Sequence, residues 1–230
     1  INKLKSLKPD LFIVVAYKIL PESILNIPKI NSINLHGSLL PKYRGASPIQ
    51  YTLLNGDKVA GVTVFSLNKD VDEGDIIIQD KIKIDDRITF IELYQKLSIL
   101  GASLLLDSIK LVKEKRIIDF QKQNHEHSIK APKIKKEQLK IDWNDSALKI
   151  HNLIRSLSYL GVYTLFNAKR IKLYNSYWNN SNKILGNGEF ILKEDYIYIG
   201  CNSSLLIIKE LQVEGKKKIK AKDFFNGLNK

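Results

Sequence analysis

The sequence contains no methionine and a single cysteine, Cys201. One thiol excludes an internal disulfide framework and suits a reducing compartment. Long apolar runs are also missing. The stretch from Leu11 to Tyr17 is far too short to span a bilayer, and it lacks the basic lead-in and small-residue cleavage site of a secretory signal. No serine or cysteine sits in a nucleophile motif, and the ligand spacing of a zinc site is absent. No internal repeat is visible. These absences set the expectation of a cytoplasmic protein that needs no membrane and no metal. The chain begins at Ile1 and has no methionine anywhere, so its natural N-terminus is expected to lie upstream.

What is present is enough for a real core. The chain has 230 residues, of which 44% are hydrophobic, room for one large domain or two small ones. Ile, Lys and Asn are heavily used, and the net charge is +13. That charge is unevenly spread. Residues 1–112 carry 14 Lys and Arg against 12 Asp and Glu, whereas residues 113–230 carry 23 against 12. A uniform lysine bias would raise both halves alike. The excess of +11 in the second half is therefore read either as a solvated basic surface or as a face for a polyanion, where each lysine beside a phosphate releases a counterion.

The pattern along the chain alternates strands and helices. Leu11 to Ala16 is a continuous, β-branched-rich run, the pattern of a strand covered on both faces in a parallel sheet. Pro21 to Leu25 predicts a short helix, and Ile33 to His36 a second strand. Ser47 and Pro48 read as N-cap and first helical residue of a helix ended by Asn55 and Gly56. Val59 to Leu67 and Asp75 to Lys83 read as two strands around the polar loop Asn68 to Gly74. Thr89 to Lys113 predicts the clearest amphipathic helix, its apolar face formed by Ile91, Leu93, Leu97, Leu100, Leu104 and Leu111. Together these give an α/β domain over residues 1–112. Residues 113–133 are polar and basic and read as a linker. Beyond it, Ser146 to Ser158 reads as a helix. Short apolar runs then alternate with turns such as Gly186 to Gly188 and Gly200 to Ser204, which predicts a small β-barrel or sandwich over residues 134–230.

Asn34 and His36 sit two apart on a predicted strand, so both side chains leave the same face while Leu35 leaves the other. The strand runs straight into Gly37, Ser38, Leu39, Leu40 and Pro41, a turn that stops it just after the histidine. Polar groups at the C-terminal end of a strand in an α/β sheet are where ligands bind. The acidic loop Asp70 to Asp75 could bring a carboxylate to that histidine. Asp72 is the preferred candidate, and spacing leaves Asp70 and Asp75 open. The chemistry that these groups suit is acyl transfer to an amine. Imidazole exchanges protons near neutral pH. Asn34 and protonated His36 can donate to the oxyanion of a tetrahedral intermediate, about 3 kcal/mol for one such donor. Asp72 stabilises the imidazolium and can receive the amine's proton through water. With no nucleophile motif, direct attack by a substrate nitrogen is the simplest scheme.

The residues from Asn34 to Gly45, followed by Pro48-Ile-Gln50, Gly61-Val-Thr63 and Asp72-Glu-Gly-Asp75, closely resemble the folate-dependent formyltransferases across most of residues 8 to 112. The Asn-x-His, Ser-Leu-Leu-Pro and Asp-x-Gly-Asp elements in this order are highly specific. The resemblance implies a Rossmann-like formyltransferase domain, incomplete at its N-terminus, followed by a small OB-like β-barrel. It places Asn34, His36 and Asp72 at the catalytic positions and Ser38, Leu39, Leu40 and Pro41 along the folate site. It implies 10-formyltetrahydrofolate as donor, and an upstream segment that supplies the opening strands and a loop for the acceptor end of a tRNA.

Within the family, Arg44 to Gln50 is similar to the members that formylate initiator methionyl-tRNA. So are Ile141-Asp-Trp143, Ile154-Arg-Ser156, and Leu211 to Lys217 ending in Asp223 to Gly227. A departure lies at Leu157 to Tyr163, where that group usually has a proline-containing turn. The resemblance thus implies initiator methionyl-tRNA as partner, a monomer, and tRNA phosphates facing the basic half, with Lys133, Lys135, Lys136, Lys216, Lys217, Lys218 and Lys220 as candidates. Two alternatives remain: a formyltransferase for an amino sugar nucleotide, and a basic RNA-binding module without catalysis.

Overall fold

The computed structural model describes residues 1–114, 120–180, 185–202 and 204–227. Its first sheet contains β1 (Leu11–Val15), β2 (Asn31–His36), β3 (Val59–Ser66) and β4 (Ile76–Lys83), in that order. Only β1 and β2 run parallel; β2 with β3 and β3 with β4 are antiparallel. β1 is parallel to β2 as expected, but it is not covered on both faces. β1 ends the strand order, and its Ile13 and Val15 are 44% and 52% exposed. The doubly covered strand is β3, where Ala60 to Phe65 are all buried.

Three of the helices in this part of the chain are α1 (Asn2–Ser6), α2 (Glu22–Leu25) and α3 (Pro48–Leu54). The fourth, α4 (Phe90–Lys113), buries a stripe of Leu93, Leu97, Gly101, Leu104, Ser108 and Val112. The amphipathic expectation holds in kind but not in register. Ile91 is 50% exposed, and Leu100 and Leu111 are only half-buried. Two small residues, Gly101 and Ser108, take the places of large ones, and at Gly101 the helix comes close to β2. A Cβ on Gly101 would lie 2.8 Å from Leu35 Cδ2.

The chain divides into two compact units: Ile1–Thr52, Asp57–Ile84 and Glu92–Lys133 in the first, and Leu53–Gly56, Asp85–Ile91 and Ile134–Lys230 in the second. The stretch read as a linker is thus not free-standing. Residues 120–133 pack within the first unit, with Gln121 bridging Ile76, Lys130 bridging Arg44, and Ala131 fully buried. Its polar side chains hid this, since backbone and amide hydrogen bonds hold it rather than an apolar stripe. Residues 115–119 of that expected linker lie outside the described part.

The second unit contains α5 (Ala147–Leu157), six antiparallel strands and α6 (Ala221–Asn226). The strands are β5 (Tyr163–Phe166), β6 (Lys169–Asn179), β7 (Phe190–Lys193), β8 (Tyr196–Cys201), β9 (Ser204–Val213) and β10 (Lys218–Lys220). Their order is β5-β6-β9-β8-β7, with β10 on β9. Side chains from all five strands of that path line one small apolar cavity of about 70 Å³. Phe166 of β5 meets Phe190 of β7 edge-to-face at 5.4 Å. Aromatic contact thus brings the two ends of the strand order together around the apolar interior. Where the resembled group usually has a proline-containing turn, Ser158–Leu160 forms a 3-10 turn ended by left-handed Gly161.

A polar cluster holds segments 53–56 and 85–91 in this unit. Arg155 donates to the carbonyls of Asp85 and Leu53 and to Asn152 Oδ1. His151 donates from Nε2 to the Asp86 carbonyl at 2.7 Å and accepts the Ser176 hydroxyl at Nδ1 at 2.8 Å. Burial, helped by the charge of Arg155, pushes His151 below its ordinary 6.5, against the opposing Asp86 hydrogen bond. Because the folded-state value is depressed, the unfolded chain takes up the proton first as pH falls. The protein is therefore expected to lose stability below about pH 6.5 until folded His151 itself protonates. Urea titrations between pH 7.5 and 5 test this. His151→Gln should be less stable at pH 7.5 by roughly 1–3 kcal/mol yet show a shallower decline. Equal declines would remove His151 from the pH dependence.

Candidate active site

Leu35 turns toward α4, so Asn34 and His36 leave the opposite face of β2, as the period of two requires. His36 is 6% exposed and its ring lies edge-on to Phe65, itself in a buried cluster with Leu40 and Ile76. Its Nε2 lies 2.8 Å from the Tyr43 carbonyl. A carbonyl only accepts, so Nε2 carries the hydrogen and Nδ1 is the exchangeable nitrogen. Nδ1 faces Asp72 Oδ2 at 3.6 Å, ion-pair distance but too long for a hydrogen bond. Among the described residues Asn34 makes no side-chain hydrogen bond, and it is half-buried, which leaves its amide open to a ligand.

The structure brings Asp72, rather than Asp70 or Asp75, to the histidine. Asp72 has φ +56°, a left-handed conformation that costs about 1–2 kcal/mol for a residue with a Cβ. Its Oδ2 accepts the Gly45 N–H at 2.8 Å. Gly45 has to be glycine: its φ is +119°, and a Cβ there would lie 2.7 Å from the Ala131 carbonyl oxygen. The turn after β2 thus presents one backbone carbonyl to His36 and one N–H to Asp72. His36 and Asp72 are thus brought together, and Asn34 lies two residues before His36 on the same strand.

The Ser38 to Pro41 turn is fastened by hydrogen bonds. Ser38 Oγ donates to the Lys42 carbonyl at 2.6 Å, and Thr63 Oγ1 donates to the Ser38 carbonyl at 2.6 Å. Gln79 Nε2 donates to the Leu40 carbonyl at 2.9 Å and to Thr63 Oγ1 at 2.8 Å. Ser38 and Leu40 are 2% and 3% exposed, so their side chains belong to the protein interior. Leu39 faces outward over Gly61 and lines a cleft of about 260 Å³ with Lys42, Tyr43, Asp57 and Lys58; Asn34, His36 and Asp72 do not line it. Pro41 is half-buried and follows a cis peptide bond. Among the described residues no group of three or more His, Cys, Asp and Glu could hold a metal ion. No helix there is long and apolar enough to cross a membrane.

Two features escaped sequence reasoning. Arg44 and Gln123 are buried at 8% and 6% exposure and are joined by two hydrogen bonds of 3.0 and 2.7 Å. No spacing rule links residues so far apart. The second is a row of cations over tyrosines in the second unit: Lys209 over Tyr177 and Tyr196 at 4.5 and 5.3 Å, and Arg170 over Tyr163 at 4.2 Å.

Comparison with known proteins identifies the family. The formyl transferase model matches residues 1–109, and the model of the formyl transferase C-terminal domain matches residues 133–229. A methionyl-tRNA formyltransferase of Thermodesulfovibrio yellowstonii is 43% identical over 229 residues, covering 99% of this chain and 73% of its own. One of Clostridium novyi is 39% identical over 230 residues, covering 99% and 74%. Among solved structures, a sugar 3N-formyl transferase with dTDP and 5-N-formyl-THF is similar at TM-score 0.70 and 25% identity, covering 93% of this chain and 77% of its own. With both models matched across nearly all of its length, the chain belongs to the formyl transferase family.

Proposed function

We propose that this protein transfers a formyl group from 10-formyltetrahydrofolate to the amino group of methionine on initiator methionyl-tRNA. The observation that carries this reading is similarity to methionyl-tRNA formyltransferases through both domains, at 43% identity in one relative against 25% in the sugar 3N-formyl transferase. In the reaction the amino nitrogen attacks the formyl carbon, the bond from that carbon to the folate N10 breaks, and one proton passes from the amine to N10. Asn34 and the protonated Nδ1 of His36 donate to the oxyanion formed on the way. Asp72 stabilises the imidazolium and accepts the amine's proton through water. The Ser38 to Pro41 turn, fastened by its own hydrogen bonds, offers the donor the accessible parts of Leu39 and Pro41.

The basic residues support a tRNA acceptor. Lys216 and Lys217 lie in the turn between β9 and β10, and Lys220 ends β10; all three are exposed. Lys218 is tied to Glu210 at 2.8 Å and lies over Tyr174, which leaves it less to offer a phosphate. Lys135 and Lys136 are exposed at a 3-10 turn in the same unit, and Lys133 belongs to the first unit.

The direct test is formyl transfer by the full-length protein, with charged initiator tRNA and a dTDP-linked amino sugar as rival acceptors. Formyl-methionyl-tRNA is the expected product; a formylated sugar with untouched tRNA would overturn the reading. His36→Ala is expected to lower kcat about 10²- to 10⁴-fold, the range for a lost acid–base group, with tRNA affinity unchanged in a filter-binding assay. Near-normal turnover would remove His36 from the chemistry. Replacing Lys216, Lys217 and Lys220 by Ala should weaken tRNA binding and reduce the slope of log affinity against log salt by about 2 to 3. An unchanged slope would show that this hairpin touches no phosphate.

A further inference from the structure

We propose that Gln123 is a positioning residue that sets the Asp72 carboxylate against His36, a role that rests on the reading of Asp72 given above. Gln123 is buried, and all four hydrogen-bonding positions of its amide are filled. Oε1 accepts from Arg44 Nε at 3.0 Å and Nη2 at 2.7 Å. Nε2 donates to the Asp72 carbonyl at 3.0 Å and the Gly74 carbonyl at 2.7 Å. A guanidinium only donates and a carbonyl only accepts, so the partners fix which way the amide faces.

The two carbonyls flank Glu73, whose Oε1 lies 3.1 Å from Arg44 Nη1. Gln123 and Arg44 therefore grip three consecutive residues of the loop that carries the carboxylate. Arg44 is anchored in turn, its N–H donating to the Ile129 carbonyl at 2.9 Å and its carbonyl accepting the Ala131 N–H at 2.7 Å. Gly45, the residue after Arg44, donates to Asp72 Oδ2. The left-handed backbone of Asp72 needs such surroundings to persist. Without the amide, the loop loses the two donors that hold the Asp72 and Gly74 carbonyls. The carboxylate would then leave both the Gly45 N–H and the imidazole.

Gln123→Glu separates this role from packing. It keeps the shape and the acceptor for Arg44, but it removes both donors and sets a carboxylate against two carbonyls. Kcat for formyl transfer should fall about 10- to 100-fold, the cost of misplacing a reacting group by about 1 Å, with KM for the donor and for methionyl-tRNA within about two-fold. In an Asp72→Asn background the same substitution should change kcat less than about two-fold, since groups that act through one another are not additive. An equal loss in both backgrounds, unchanged kcat, or an effect confined to KM would overturn the proposal. Amide hydrogen exchange at Gly45 gives a readout without turnover: it should accelerate in Gln123→Glu, and unaltered protection would overturn the proposal as well. If Gln123→Glu does not fold, Gln123→Asn, one methylene shorter, takes its place with the same outcomes. Should the wild-type protein formylate no acceptor, the functional reading falls, while Gly45 exchange still decides whether Gln123 places Asp72.

Discussion

The hydrogen bond from His36 Nε2 to the Tyr43 carbonyl is the contact on which the site depends. It commits one ring nitrogen to the backbone and leaves Nδ1 as the atom that can exchange a proton. It also requires the chain to double back within seven residues of β2. Tyr43 accomplishes that return at φ +64°, buried, with its hydroxyl donating to Asp57 at 2.9 Å. The Ser38 hydroxyl and the Thr63 and Gln79 side chains fasten the intervening turn. Gly45 then supplies the N–H that receives Asp72. The turn between Gly37 and Gly45 is thus a brace for two side chains as much as a binding surface.

How much of this was legible follows from which forces set each feature. The same-face pairing of Asn34 and His36 needed only the period of a strand. Selecting Asp72 from among Asp70, Asp72 and Asp75 depended on a left-handed backbone that no spacing encodes. Family resemblance picked the same aspartate. The stripe of α4 was read one step off because Gly101 and Ser108 do not look apolar, although close packing against β2 favours small residues. The segment 120–133 was missed for the converse reason. Gln123 there is satisfied internally by Arg44, Asp72 and Gly74, and a polar sequence looks the same whether water or protein meets its hydrogen bonds. The curling of the second sheet was legible only as several short strands, because the Phe166–Phe190 contact joins residues distant in sequence.

The two units divide the chemistry. The first holds the groups suited to acyl transfer. The second encloses an apolar interior, with several cations stacked on tyrosines.

The claim underneath this account is the state of the His36 ring, and NMR of the 15N-labelled imidazole measures it most directly. Where the ring is neutral, long-range 15N–1H correlations should show the proton on Nε2 and a lone pair on Nδ1. A neutral ring with its proton on Nδ1 would mean that the Tyr43 carbonyl does not hold Nε2. The proposed roles of Nδ1 and Asp72 would then be wrong.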